Sequence, residues 1–160
     1  MKGDISALQY MRAHGNSPGP TQRPKLVGTV SGLIGSIPGV AILYWSGALG
    51  SVGVAIGTNE SVTLALIVWA SILKGILYAA VFQRAANDFR GGWLFGSSFG
   101  FLIWMVGPVT IWQVSTGRAL AAGRPAMGLF IAYISYGLVL GAVYPIINRS
   151  LQKQLRRNGA

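Results

Sequence analysis

Lys74 is the residue whose type and position most invite chemistry. It sits inside an otherwise uncharged apolar run, Val62 to Phe82, ten residues before Arg84. A lysine near the centre of a bilayer costs ~2.5–3.5 kcal/mol on insertion scales. Such a charge persists only where a carbonyl, hydroxyl, phosphate or carboxylate meets it. On a helix, Lys74 shares a face with Ser71, Gly75 and Tyr78. Side chains lean toward the helix N-terminus, so reaching toward Arg84 works against that lean. Two readings follow. The bland one is a partial snorkel or a hydrogen bond to a serine or carbonyl. The functional one is an ion pair with a partner subunit, a lipid phosphate or an anionic solute.

What is missing narrows the chemistry further. The chain has no Cys, so thiolate nucleophiles, disulfides and Cys-ligated metals are excluded. Its single His, His14, lies in a polar N-terminal stretch, which leaves no haem or chlorin ligand inside the apolar runs. The three acids, Asp4, Glu60 and Asp88, also lie outside those runs, so the chain supplies no buried carboxylate relay. Neither paired carboxylates nor a Ser–His arrangement for hydrolysis is present. The expectation is a protein without catalytic residues, metal ligands or a cofactor site.

The element that must position Lys74 is a membrane-spanning helix. Of 160 residues, 52% are hydrophobic and 10% charged, with a net charge of +10. Soluble domains carry about a quarter charged residues. This apolar content excludes a disordered basic tail, and the placement of the basic residues argues against nucleic acid as a partner. Glycine, at 23 residues, shows no collagen period. Four runs, at residues 26–50, 62–82, 93–114 and 126–147, each reach the ~20 residues that cross a ~30 Å hydrocarbon core. Lipid offers no partners to backbone groups, so the runs must be helices. The fold class expected is an all-α membrane protein of four transmembrane helices. A cytoplasmic arm (1–25) precedes the transmembrane domain (26–147) and a basic tail (148–160) follows it. The apolar stretch from Ser51 to Gly57 blurs the end of the first helix. No cleaved signal peptide is expected.

Charge gives the orientation. Lys2, Arg12, Arg23, Lys25, Arg84, Arg90, Arg149, Lys153, Arg156 and Arg157 fall on one side of four spans, and only Arg118 and Arg124 on the other. Ten against two puts both termini in the cytoplasm. Trp93 and Tyr144 are then expected near the inner interface, and Tyr44, Trp45 and Trp112 near the outer one. Within the arm, Asp4 can cap a short helix with Ile5, Leu8 and Met11 on one face, either an interfacial anchor or a frayed tail. Asn16 to Pro24 reads as an extended segment. In the tail, Arg149, Lys153, Arg156 and Arg157 are candidate contacts for anionic phospholipid at ~1 kcal/mol each, or simple topology determinants.

A repeat runs through the four spans. Pro38 precedes Gly47 by nine residues, and Pro108 precedes Gly117 by nine. GILYAA at Gly75–Ala80 matches GAVYPI at Gly141–Ile146, and both lead to an arginine, Arg84 and Arg149. This predicts two helical hairpins in parallel repeat, with Leu140 in the place of Lys74. Inverted repeats are not seen. The glycines fall in small-x3-small stripes: Gly28 and Gly32; Gly35 and Gly39; Gly92, Gly96 and Gly100; Gly137 and Gly141. Such stripes let helices approach closely, within this bundle or against other subunits. Pro38 and Pro108 are expected to kink the first and third helices. Tyr133, Tyr136 and Tyr144 share a broad face of the fourth, read as packing rather than a pigment or quinone site.

The stretch Trp93 to Pro145, with WLFGSSFGFLIWMVGP, Tyr136-Gly137 and Gly141-Ala-Val-Tyr144-Pro145, resembles small four-span bacterial inner-membrane proteins of the YagU-like kind. The resemblance implies a four-helix inner-membrane fold and no settled activity. Arg84-x3-Asp88 followed by Gly96-x3-Gly100 is similar to the signature of the mitochondrial preprotein and amino-acid transporter family. The chain departs from that signature at Phe95 and Leu73, and its first hairpin loop lacks basic residues. The role expected first is a non-catalytic accessory subunit of a larger membrane complex, energy-transducing ones included, docked through glycine-rich faces. Its partners are then other membrane subunits and anionic phospholipids. The alternatives are a small channel or carrier for an anionic or neutral solute, using Lys74, and a lipid-binding or assembly factor. The expected location is the bacterial inner membrane or an organelle inner membrane. A reporter fused after Ala160 is expected to be active in the cytoplasm; periplasmic activity there would overturn the orientation.

Overall fold

A computed structural model of the protein describes residues 23–82, 91–117 and 123–158, with the backbone alone for 115–116 and 152–158. The described residues contain helices and no strand. Four stretches are long and apolar enough to cross a membrane: Pro24–Ser46, Glu60–Val81, Gly92–Val114 and Arg124–Leu151. The expected arm, with Asp4 and His14, lies outside the described residues, as do Arg84, Asp88 and Arg118.

Helix α1 (Pro24–Ser46) opens with proline in its first turn, where the missing N–H costs nothing. It ends at Gly47, whose φ of 74° lies in the left-handed region and whose N–H bonds the Tyr44 carbonyl at 3.1 Å. The run 26–50 is therefore not one helix. Its last residues begin a separate helix, α2 (Ala48–Ile56), which ends on a second left-handed glycine, Gly57. Hydropathy could not see this break, because glycine and alanine leave the run apolar across it. Asn59 then caps α3 (Glu60–Val81), its side chain accepting from the Val62 N–H at 2.9 Å.

The third span is composite. Helix α4 (Gly92–Trp104) passes into a π-helical segment (Met105–Ile111), then α5 (Trp112–Thr116), and closes on left-handed Gly117. Pro108 lies inside the π segment. Proline donates no hydrogen bond and crowds the carbonyl four residues back, and a widened turn relieves the crowding. Thr110 Oγ1 fits that turn by donating to the Met105 carbonyl, five residues earlier, at 2.9 Å. By contrast α1 stays α-helical through Pro38, and α6 (Arg124–Asn158) through the fully buried Pro145.

Glycine decides which helices touch. A Cβ on Gly28 or Gly32 would strike the carbonyl oxygens of Gly75 and Ser71, so α1 and α3 meet backbone to backbone. Gly96 and Gly100 abut Gly137, Gly141 and the Tyr133 carbonyl in the same way, joining α4 to α6. Between these pairs, Gly35 and Gly39 set α1 against Tyr136 and Ala132 of α6. In each pair, rising numbers on one helix meet falling numbers on the other, so the packed helices are antiparallel. The order of packed neighbours is α3, α1, α6, α4. Helices α3 and α4 meet through rings at the end that carries Pro24 and Asn158: Tyr78 lies 5.2 Å from Phe99 and 5.6 Å from Tyr144, and Phe82 lies 6.0 Å from Phe99. Tyr144 is fully buried in this cluster, turned toward protein at the end that carries Pro24 and Asn158. Trp93, Tyr44 and Trp45 are exposed.

Such crossings have no room for a side chain. Gly96→Ile is expected to destabilise the detergent-purified protein by ~3 kcal/mol, the upper range for overpacking. Gly107→Ala, whose added Cβ meets only the Tyr133 hydroxyl at 4.0 Å, should stay within ~0.5 kcal/mol. Equal thermal stability of the two variants would reject the assignment of backbone contact at Gly96.

Candidate functional site

The ring cluster closes the gap between α3 and α4 at one end of the bundle. Toward the other end, α3 and the π segment do not form a packed pair. A cavity of about 730 Å³ lies there, walled by α1, α2, α3, the π segment and the start of α6. Pro108 and Gly107 form part of the π wall, and Val40, Leu43, Ile67 and Leu129 supply apolar surface. Lining residues Ser51, Val54, Ala55, Ala70 and Ile111 are exposed and mark its rim. The volume falls in the ~300–1,000 Å³ range of small-molecule sites, which are mostly apolar with a few placed polar groups.

Lys74 lines this cavity. Its Nζ stands 4.5 Å from the ring centre of Tyr133 and 4.7 Å from that of Tyr136, both on α6. Two ring faces attract a cation at these distances, but neither neutralises it. Glu60 is the one acid among the described residues, and it starts α3, fourteen residues before Lys74. At ~1.5 Å per residue that is ~21 Å along the helix. No carboxylate among the described residues therefore reaches the ammonium.

The hydroxyls around Lys74 are already committed as donors. Ser71 donates to the Ile67 carbonyl at 2.8 Å, Ser36 to Leu33 at 2.6 Å, and Ser51 to Gly47 at 3.0 Å. Tyr136 donates to the Ser71 carbonyl at 2.7 Å. That carbonyl is a junction of three helices: it belongs to α3, Gly32 of α1 makes room for it, and Tyr136 of α6 binds it. Ser71 is 2% exposed and Tyr78 fully buried, so the face they share with Lys74 turns into protein. Tyr133 differs from its neighbour. Its hydroxyl lies across the cavity beside Gly107 and makes no hydrogen bond among the described residues.

The other candidates fall elsewhere. Gly28, Gly32, Gly35, Gly39, Gly92, Gly96, Gly100, Gly137 and Gly141 are all buried against helices of this same chain, so none offers an outward face. Arg149 is exposed on the last part of α6; Lys153, Arg156 and Arg157 follow on that helix, with side chains outside the described residues. Arg124, at the far end of α6, donates to the Trp45 carbonyl at 2.8 Å, near the C-terminal end of α1. Sequence reasoning grouped Tyr133 and Tyr136 on one face but did not connect them with Lys74. The signal available was a lone lysine on one apolar run and an unexplained aromatic face on another. Searches against protein families, curated proteins and solved structures returned no match.

A lysine without a counter-charge among the described residues contributes little to holding the bundle. Lys74→Leu in the isolated, detergent-purified protein is expected to leave thermal stability unchanged or raised, because it removes a poorly solvated charge. A loss of ~3 kcal/mol or more, the cost of breaking a buried pair, would reveal a partner within the chain.

Proposed function

We propose that the protein is a small, non-catalytic membrane carrier or binding protein that receives an anionic solute in the cavity and sets its charge against Lys74. One observation carries this reading: a cation stands in a 730 Å³ cavity, with aromatic rings beside it and no carboxylate among the described residues. In this reading it resides in a bacterial inner membrane with both termini cytoplasmic, as the charge asymmetry of the sequence implies.

The parallel repeat belongs to the same reading. The register that sets Pro108 on Pro38 also sets Gly117 on Gly47, and both of those glycines end helices in the left-handed conformation. The helix contacts follow a register six residues away: Gly75 meets Gly28 and Gly32 as Gly141 meets Gly92 and Gly96, which sets Phe99 on Gly35 and Ile103 on Gly39. The glycines allow α1 to close on α6, whereas bulkier residues stand where α4 would close on α3. The companion register sets Leu140, fully buried, on Lys74, which lines the cavity. The lysine lies on the side where α3 and the π segment stay apart.

A second reading keeps the accessory-subunit role. The cavity rim is open between α3 and the π segment, and a foreign carboxylate could reach Lys74 there. In that case Lys74→Leu would strand the partner's charge and weaken assembly by ~3–5 kcal/mol. Docking would then use the cavity rim, since the glycine stripes are filled by this chain's own helices.

The test is thermal unfolding of the purified protein with anionic and matched neutral solutes. A bound solute at 100 times its Kd should stabilise by ~2.7 kcal/mol. Anions are expected to stabilise the native protein and not Lys74→Leu. If no anion does so, and the protein leaves mild detergent in stoichiometric complex with a larger membrane protein lost in Lys74→Leu, the second reading replaces the first.

A further inference from the structure

We propose that the occupant of the Lys74 cavity is an organic monocarboxylate with an apolar body, its carboxylate on Lys74 Nζ and the Tyr133 hydroxyl and its body along the α1–π-segment walls. This rests on the anion-binding reading above and specifies its ligand class. Few of the polar groups lining the cavity have a proton to give. Ser36, Ser51, Ser71 and Tyr136 all line the cavity, yet each spends its proton on a backbone carbonyl. A hydroxyl so committed offers only lone pairs, which repel an anion. Among the hydroxyl and ammonium groups of the lining, Lys74 and Tyr133 are what remain to donate; the Trp112 indole is a further lining group, at the rim end of the π wall. Inorganic phosphate and sulfate carry more acceptor oxygens and charge than two such groups can satisfy. A carboxylate brings one charge and two oxygens, which matches one ammonium and one hydroxyl.

The walls select the rest of the ligand. Val40, Leu43, Ile67, Pro108, Ile111 and Leu129 line the cavity away from Lys74. A small hydrated anion would leave this surface in contact with water, whereas an alkyl or aryl body covers it. Entry is available at the rim, where Ala70 of α3 and Ile111 of the π segment are both exposed. These residues lie within the membrane-spanning stretches, so a ligand already dissolved in the bilayer reaches the cavity from the side. The carboxylate then moves inward along α3 by one helical turn, from the level of Ala70 to Lys74.

The test measures binding of decanoate, decanol, decyl phosphate and inorganic phosphate to the purified full-length protein in detergent, read by tryptophan fluorescence. Three variants accompany the native protein: Lys74→Met, Tyr133→Phe and Ala70→Trp. Decanoate is expected to bind, with decanol and inorganic phosphate at least about tenfold weaker, as a charge-assisted hydrogen bond implies. Lys74→Met should erase the preference for decanoate over decanol while leaving decanol unchanged, which also shows that the variant is folded. Tyr133→Phe should weaken decanoate about three- to tenfold, and Ala70→Trp, which narrows the cavity above Lys74, should weaken both chain ligands. Inorganic phosphate or decyl phosphate binding more tightly than decanoate, in a Lys74-dependent way, would overturn the monocarboxylate and leave the anion reading standing. A phospholipid that co-purifies with the native protein and not with Lys74→Met would overturn it in the same manner. Equal binding of decanoate and decanol, unaffected by Lys74→Met, would overturn both.

Discussion

Contact between bare helix backbones is the constraint on which the bundle depends. Within lipid there is no hydrophobic force to press one apolar helix on another, so association rests on dispersion at close range. Gly28 and Gly32 with Gly75, and Gly96 and Gly100 with Gly137 and Gly141, let carbonyl oxygens of one helix approach Cα atoms of the next. Larger residues at these positions would hold the axes apart and forfeit much of that attraction. The rest of the arrangement follows from where the glycines are. Helix α1 has glycines toward α3 and toward α6, and α6 has Gly137 and Gly141 toward α4 and Gly128 toward Ser46 of α1, so these two become the middle of the bundle. Helices α3 and α4, with glycine on one face, become its flanks.

The flanks are then left with an incomplete contact between them. Aromatic rings of Tyr78, Phe82 and Phe99 reach across it at one end, because rings can span a gap that backbones cannot close. Farther along, Pro108 and the widened π turn replace a regular helical face, and the two flanks do not pack. Proline in lipid normally leaves a carbonyl in search of a donor. Here the Thr110 hydroxyl adds a donor to the Met105 carbonyl, three residues before the proline.

Polarity inside the cavity is unevenly distributed. Hydroxyl protons are turned back onto helix carbonyls, a common economy for serine and threonine in membrane helices. The outcome is a lining in which four hydroxyls are committed as donors and Tyr133 is not, with one ammonium held between two tyrosine rings. A cation placed this way is attracted by ring faces and still has donor capacity to spare, since an ammonium carries three protons. That combination separates Lys74 from Arg124, which lies at a helix end and spends donor capacity on the Trp45 carbonyl.

Composition and run length by themselves fixed the helical class and the four membrane-crossing stretches, because a bilayer enforces length and apolarity residue by residue. Gly-x3-Gly spacing marked which faces could pack closely, and Lys74 stood out because one charge in an apolar run is locally visible. Three things were not local. The break at Gly47 depends on one glycine adopting a left-handed φ, which hydropathy does not register. The partnership of Lys74 with Tyr133 and Tyr136 joins residues on helices that are not sequence neighbours, and it exists because Gly32, the Ser71 carbonyl and Tyr136 lock α1, α3 and α6 together. The cavity itself has no sequence signature at all: it is the space left where α3 and the π segment fail to meet. Which glycine stripe met which was decided by the tertiary structure alone, since every such stripe is chemically able to pair with every other and only the joint packing of all four spans selects among them.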